Sequence, residues 1–204
     1  ITKGKKVKIK EIVVKGRSKI LNPKKTILNR KDTVYAVSDY KLKKSMKETK
    51  SKNFWRIFKI SKFIDQNYED DKKNIIAKYN EVGFRDARIT HDTAYMNSDN
   101  TISIEMTIEE GETYKFGDII FVGNTVYSSE ELSQQLGIEN GDIFDQSILD
   151  SRLFGSQEGT DISSLYLDDG YLFFNATPIE VAASDRKIDL EVRVYEGKQA
   201  RVNK

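Results

Sequence analysis

The chain has 204 residues, 38% of them hydrophobic and 32% charged, which suits two small domains with modest cores. It contains no cysteine, so a disulfide framework and thiolate chemistry are both excluded. The net charge of +2 hides a division: residues 1–63 hold 21 basic and 4 acidic side chains (+17), and the rest hold 13 and 28 (−15), a field that steers partners without dictating the fold.

Val7–Val14 is a β-branched run with Lys and Glu interleaved, the pattern of a half-buried strand, and Gly16 closes it. The polar stretch from Ser18 to Val37 contains Pro23 and Asn29-Arg30-Lys31-Asp32 and predicts a long loop with one short extra strand near Thr33–Val37. Ser38 is placed to cap a helix whose Leu42 and Met46 share a face, with Val37 stapled onto Leu42. Ser51–Phe63 then interleaves aromatic and basic residues. Phe54, Trp55, Arg56 and Phe58 either cap the small core or form a patch for an acidic partner, a lipid headgroup or nucleic acid.

A second helix is expected over about Tyr68–Val82, with Glu69, Asp70 and Asp71 favouring the dipole in its first turn. Three adjacent acids point in different directions on a helix, so they make a poor metal site. Ile75, Ile76 and Tyr79 form the buried stripe, and Gly83 is the left-handed stop. A strand over Phe84–Tyr95, a turn at Asn97–Asn100 and a strand Thr101–Glu109 complete a β-α-α-β-β unit. Ile102, Ile104, Met106 and Ile108 lie on one face of the last strand.

The plan then repeats. Gly4 to Gly16 and Gly111 to Gly123 both span 12 positions, with Ile9 matching Phe116, Ile12 matching Ile119 and Val14 matching Phe121. A strand Tyr114–Val122 leads to Ser128, which forms a capping box with Glu131, with Tyr127 stapled onto Leu132. The second helix is expected to break at Gly155–Gly159 and restart from a Thr160 or Asp161 cap. Tyr166, Gly170 and Tyr171 match Tyr79, Gly83 and Phe84. Strands Tyr171–Ala182 and Lys187–Tyr195 close the unit, and a third copy of the joint motif opens at Glu196-Gly197. The chain is therefore expected to be a piece of a longer array: a first domain at 1–111 with its long 18–37 loop, a second at 112–197, and the start of another at 198–204.

Catalytic signatures are missing from the sequence. His91 is the only histidine and falls in a predicted strand, and neither a nucleophile elbow nor a phosphate-cradling loop occurs. No cofactor or metal is expected. A nucleic-acid-binding tandem KH-like module shares part of the element order, but its Gly-x-x-Gly clamp is absent, so no nucleic acid is expected as a partner. Pro178 lies inside a predicted strand and marks it as an edge. The matching strand of the first unit has no proline. Its residues Arg85, Asp86, Ala87, Arg88, Ile89 and Thr90 are either an open edge for an extended peptide or an edge guarded by its charges.

Gly123-Asn124 after the first strand, Gly83-Phe84 and Gly170-Tyr171 after the second helix, and Glu110-Gly111 and Glu196-Gly197 at the joints resemble POTRA (polypeptide-transport-associated) domains. Phe54-Trp55-Arg56-Ile57-Phe58 and Leu172-Phe173-Phe174-Asn175 are most similar to the BamA family of outer-membrane assembly proteins. Arg17, where the pattern has Asn, and the long 18–37 loop depart from it. The resemblance implies an α+β fold of two tandem β-α-α-β-β domains, each a three-stranded sheet covered on one face by two helices. It further implies a non-enzymatic periplasmic array at the outer membrane, next to neighbouring POTRA domains and a membrane barrel. Its implied partners are unfolded outer-membrane proteins and accessory lipoproteins, and the two units are expected to be the third and fourth. A secretion or import translocator is the alternative. Glu110, Gly111, Tyr114, Phe116 and Gly117 are expected to form a short inter-domain hinge.

Overall fold

Thr101–Glu109 (β5) alternates apolar and polar residues, and this pattern makes it the central strand of the first sheet. Lys8–Lys15 (β1) pairs with it in parallel and Arg88–Met96 (β4) antiparallel, giving the order β1-β5-β4. In this computed structural model, residues 8–21, 33–47, 65–156 and 159–200 are described. The chain separates into two units, Ile1–Gly111 and Glu112–Lys204. The Phe54, Trp55, Arg56 and Phe58 patch lies outside the described residues.

Ile104, Met106 and Ile108 of β5 are buried beneath the helices Asp39–Ser45 (α1) and Asp65–Asn80 (α2), against Leu42, Met46, Ile75 and Tyr79. The Ser38 hydroxyl accepts from the Lys41 N–H at 3.3 Å, and Val37 is buried in the same cluster as Leu42, as the staple requires. The expected extra strand has a partner that the sequence did not reveal. Thr33–Tyr35 pairs with Lys19–Leu21 in a separate two-stranded sheet (β2, β3), inserted between β1 and α1.

The second unit repeats this with Lys115–Val122 (β6), Asn175–Ser184 (β7) and Lys187–Tyr195 (β8) in the order β6-β8-β7. It has three helices, Ser129–Leu136 (α3), Gln146–Phe154 (α4) and Ile162–Asp168 (α5). The count exceeds two because the second helix breaks at Gly155, and Asp161 caps the restart by accepting from Ser164 N–H. Ser128 and Glu131 form the full capping box. A two-residue turn at Asp185-Arg186, both with positive φ, joins β7 to β8.

Two expected strands start late. Phe84–Ala87 and Tyr171–Phe174 are turns, so β4 begins at Arg88 and β7 at Asn175. The cause is the same in both units. The N–H of Phe84 returns to Tyr79 C=O at 3.1 Å, and that of Tyr171 to Tyr166 C=O at 2.9 Å. The chain turns once more, Ala87 onto Phe84 and Phe174 onto Tyr171, before it extends. This keeps the aromatic after the glycine against the buried tyrosine: Tyr79 and Phe84 meet edge-on at 6.0 Å, and Tyr166 and Tyr171 at 5.9 Å. At the other end of each unit, a Cβ on Gly16 would lie 2.2 Å from the Ile108 carbonyl oxygen, and one on Gly123 2.5 Å from that of Val194. Both residues have positive φ, so the first strand can turn away here only with glycine.

Candidate functional site

The two three-stranded sheets have four edge strands, and they differ in how much unbroken backbone they offer. β7 carries Pro178, which has no N–H to donate, and Val181 bulges out of register after it. β6 is half occupied by its own unit: Phe116 N–H bonds to Asp142 C=O and Gly141 N–H to Phe116 C=O, both at 2.8 Å. Its register then slips between Phe116 and Ile119. β1 bulges at Lys10, and Lys10 and Lys15 form ion pairs with Asp99 and Glu105. β4 bulges only at Thr90, after which His91–Met96 runs in continuous register with β5. Those six residues are exposed and form the longest clean edge among the described strands.

Beside this edge runs a groove of about 420 Å³ between α2 and β4. Ile76 and Ala77 of α2 and Ile89 of β4 supply its apolar lining, with Glu69, Lys72 and Asp92 as charged neighbours. Lys72 links its two walls, 2.8 Å from Glu69 and 3.2 Å from Asp92, with its ammonium 5.0 Å from the centre of the Tyr68 ring. Burial lowers the Lys72 pKa, but hydrogen bonds to Glu69 and Asp92 outweigh it and hold the value above the ordinary one, so the side chain stays cationic. The helix side of the groove follows the spacing 69, 72, 76, 77, a single helical face that the sequence could have disclosed.

Of the residues expected to form the peptide edge, Arg85, Asp86 and Ala87 lie in the turn, and Ala87 is buried. Arg88 opens β4 and pairs with Glu109 at 2.8 Å, Ile89 faces the groove, and Thr90 is the bulge. The open edge therefore sits one strand-half further on. His91 is exposed in β4, 3.0 Å from the Thr93 hydroxyl. The three acids of α2 serve separate purposes: Glu69 pairs with Lys72, Asp70 with Lys73, and buried Asp71 accepts the Lys47 N–H at 2.7 Å just past α1. Among the described residues, no group of acids and histidines is arranged to hold a metal ion.

Of the residues expected to form a hinge, Gly111 ends the first unit with a positive φ, and the others are packed in one unit or the other. Phe116 is a core residue of the second unit, with its ring centroid 4.9 Å from that of Phe144, and Tyr114 packs at the margin of that core. Gly117 lies inside β6, where a Cβ would fall 1.8 Å from Asp189 Oδ1, so its smallness admits that carboxylate and not a bend. Glu110 is buried and accepts the Ser18 N–H at 2.8 Å. Its counterpart Glu196 shows the role of this position more fully. It accepts from Thr125 N–H at 2.8 Å, Val126 N–H at 2.9 Å, the Thr125 hydroxyl, and the Tyr166 hydroxyl at 2.9 Å. Burial pushes the Glu196 pKa up, but these hydrogen bonds prevail and hold it below the usual carboxylate range. The glutamate of each Glu-Gly joint thus clasps its own unit, tying the end of the last strand to the loop after the first.

This arrangement defines tandem domains of one class. The POTRA family model, described as surface antigen variable number repeat, matches residues 7–111 and again 114–197. The chain belongs to the POTRA family. It is 31% identical over 111 residues to the outer membrane protein assembly factor BamA of Neisseria meningitidis, covering 52% of this chain and 14% of that protein. It is 28% identical over 156 residues to a Treponema pallidum protein provisionally named an outer membrane protein assembly factor, covering 72% of this chain and 18% of that one. The chain therefore spans less than a fifth of the length of these relatives. Its fold is shared with the crystal structure of Haemophilus influenzae BamA POTRA3-5, at a TM-score of 0.56 and 17% identity, covering 95% of this chain and 67% of that one.

Proposed function

We propose that this chain is a periplasmic receiving module for unfolded outer-membrane β-barrel proteins, and that it holds them by adding an extended segment to β4. It works by binding and not by catalysis, and its other surfaces dock accessory lipoproteins of an assembly complex at the outer membrane. The observation that carries this reading is the free His91–Met96 edge beside the α2/β4 groove. A strand laid along that edge gains main-chain hydrogen bonds whatever its sequence. Its alternate side chains project toward Ile76, Ala77 and Ile89, which favours an apolar residue at every second position. Six edge residues offer about six ladder bonds, each worth a net ~0.5–1.5 kcal/mol, against an ordering cost of about 2–5 kcal/mol. The net gain is at most about 7 kcal/mol, so capture is weak and reversible, no tighter than roughly ten micromolar, which suits a site that passes its cargo on.

Crosslinking in cells from photoreactive probes at Ile89 and Ala94 tests the reading. Capture of nascent barrel proteins is expected at both positions, and recovery of soluble proteins alone would count against it. In vitro, amphipathic peptides N-methylated on alternate residues should bind at least tenfold more weakly than unmodified ones. Equal binding would rule out strand addition.

A further inference from the structure

The charged end of the α2/β4 groove is not neutral. After the bulge at Thr90, alternate residues of β4 share a face, and Asp92 lines the groove, so Asp92, Ala94 and Met96 lie on the α2 side of the strand. Ala94 and Met96 are apolar and exposed, but Asp92 carries a charge, and 32% of its side chain is exposed. Across the groove, Lys72 is 2.8 Å from Glu69 and 3.2 Å from Asp92. Only 18% of the Lys72 side chain is exposed, and the Tyr68 ring backs its ammonium at 5.0 Å, which holds it in place. The other lining cation, Lys73, is 3.1 Å from Asp70. One ammonium therefore serves two carboxylates, and this end of the groove keeps one negative charge.

The second unit marks the same position. Met106 and Val192 are equivalent in the two central strands, and the residues paired to them are Asp92 in β4 and Pro178 in β7. Where one edge is blocked by a proline, the other presents a carboxylate to any strand laid alongside. The side chain opposite Asp92 on an added strand would have its Cβ roughly 5 Å away, whichever way that strand runs. An acidic residue there is repelled by the unbalanced charge. An apolar one covers the carboxylate without giving it a new partner. A Lys or Arg pairs with it and lays its methylene stem along the apolar part of the groove.

Resting on strand addition at β4, we propose that Asp92 determines which segments are captured: the bound strand turns apolar side chains toward α2 except at one position, beside Asp92, where it carries Lys or Arg. Uniformly apolar strands and strands with an acidic residue at that position are captured less well. The test uses three peptides of one alternating sequence, with Lys, Gln or Glu at a single central position of the apolar face. Each is titrated into the 204-residue chain, and the amide shifts of His91–Met96 are followed. At low salt the Lys peptide is expected to bind roughly three- to tenfold more tightly than the Glu peptide, with Gln between. Asp92→Asn should bring the three within about twofold of one another, and Asp92→Lys should reverse their order. Glu112→Lys, the same charge change at an exposed residue of the second unit, should preserve the wild-type order. Equal affinities of the three peptides for the wild type would overturn the proposal and leave strand addition standing. Reversal by Glu112→Lys would also overturn it, by tracing the preference to overall charge. Unmoved His91–Met96 amides with every peptide would overturn strand addition itself, and the specificity with it.

Discussion

Glu110 and Glu196 occupy the same place in two copies of one fold, and they are held differently. Glu196 is gripped by two backbone amides and two hydroxyls of its own unit. Glu110 accepts one backbone amide, that of Ser18, and the preceding Arg17 reaches out to Tyr35 and Asp39. The edges differ in the same direction: β7 is interrupted by Pro178 and a bulge, and β4 is clean from His91 onward. One unit is closed and directly satisfied, and the other carries an insertion, an open edge and a groove. Repetition of a fold thus leaves its clasp and its edges free to diverge, because the core positions that define it are elsewhere.

The largest test of this contrast is at the buried tyrosines. Tyr166→Ala removes a fully buried ring in contact with Tyr127, Tyr171 and Phe174, together with its bond to Glu196, and is expected to cost about 3–5 kcal/mol. Tyr79→Ala is expected to cost less, since that ring has one such aromatic partner, Phe84, among the described residues. Denaturant unfolding followed by amide signals of each unit measures both, and equal losses would break the comparison. Next in size, Glu196→Ala strands two amides and two hydroxyls and should destabilise the second unit by about 2–3 kcal/mol. Glu110→Ala should cost about 1–2 kcal/mol in the first unit, where Asp39 remains to pair with Arg17.

Acid should act on the second unit through two carboxylates, buried Asp161 and half-buried Glu196. Burial raises the pKa of Asp161 and of Glu196, but in Asp161 the bonds from Ser164 and Ser156 prevail, as those from Thr125, Val126 and Tyr166 do in Glu196, and both pKa values are depressed. A depressed folded-state pKa contributes stability above the unfolded value, and that contribution is lost as pH falls through the folded one. The second unit should therefore lose stability below the ordinary carboxylate range, and Glu196→Gln should flatten that loss in an acid unfolding series. Smaller still is the cap: Ser128→Ala breaks a complete box and should cost about 1 kcal/mol, and Ser38→Ala, with one long 3.3 Å bond, less. The smallest change is expected from Pro178→Thr. It restores an N–H to β7 but leaves the Val181 bulge, so peptide capture by the second unit should rise yet stay below that of the first.

Much of this architecture could be read from the chain. Thr101–Glu109 and Lys187–Tyr195 have the alternation of half-buried strands, and both are strands over those residues. Ser128 with Glu131 and the break after Phe154 are local chemistry, and both are found where expected. The candidate site was less legible. Phe84–Ala87 reads as strand, but a return bond to Tyr79 makes it a turn, and this moves the usable edge to His91–Met96. The Glu110-Gly111 joint reads as a hinge because Gly signals freedom. That Glu110 binds Ser18, 92 positions away, is visible only once β1 and β5 lie side by side.

The sequence by itself determined the repeat, the β-α-α-β-β plan of each unit, the core faces and the caps, because periodicity, capping and turn chemistry act within a few residues. Tertiary structure alone decided which edges stay open, where the groove lies and what Glu110, Arg17 and Asp71 do. Those properties depend on partners brought together across dozens of residues, and no local pattern encodes them.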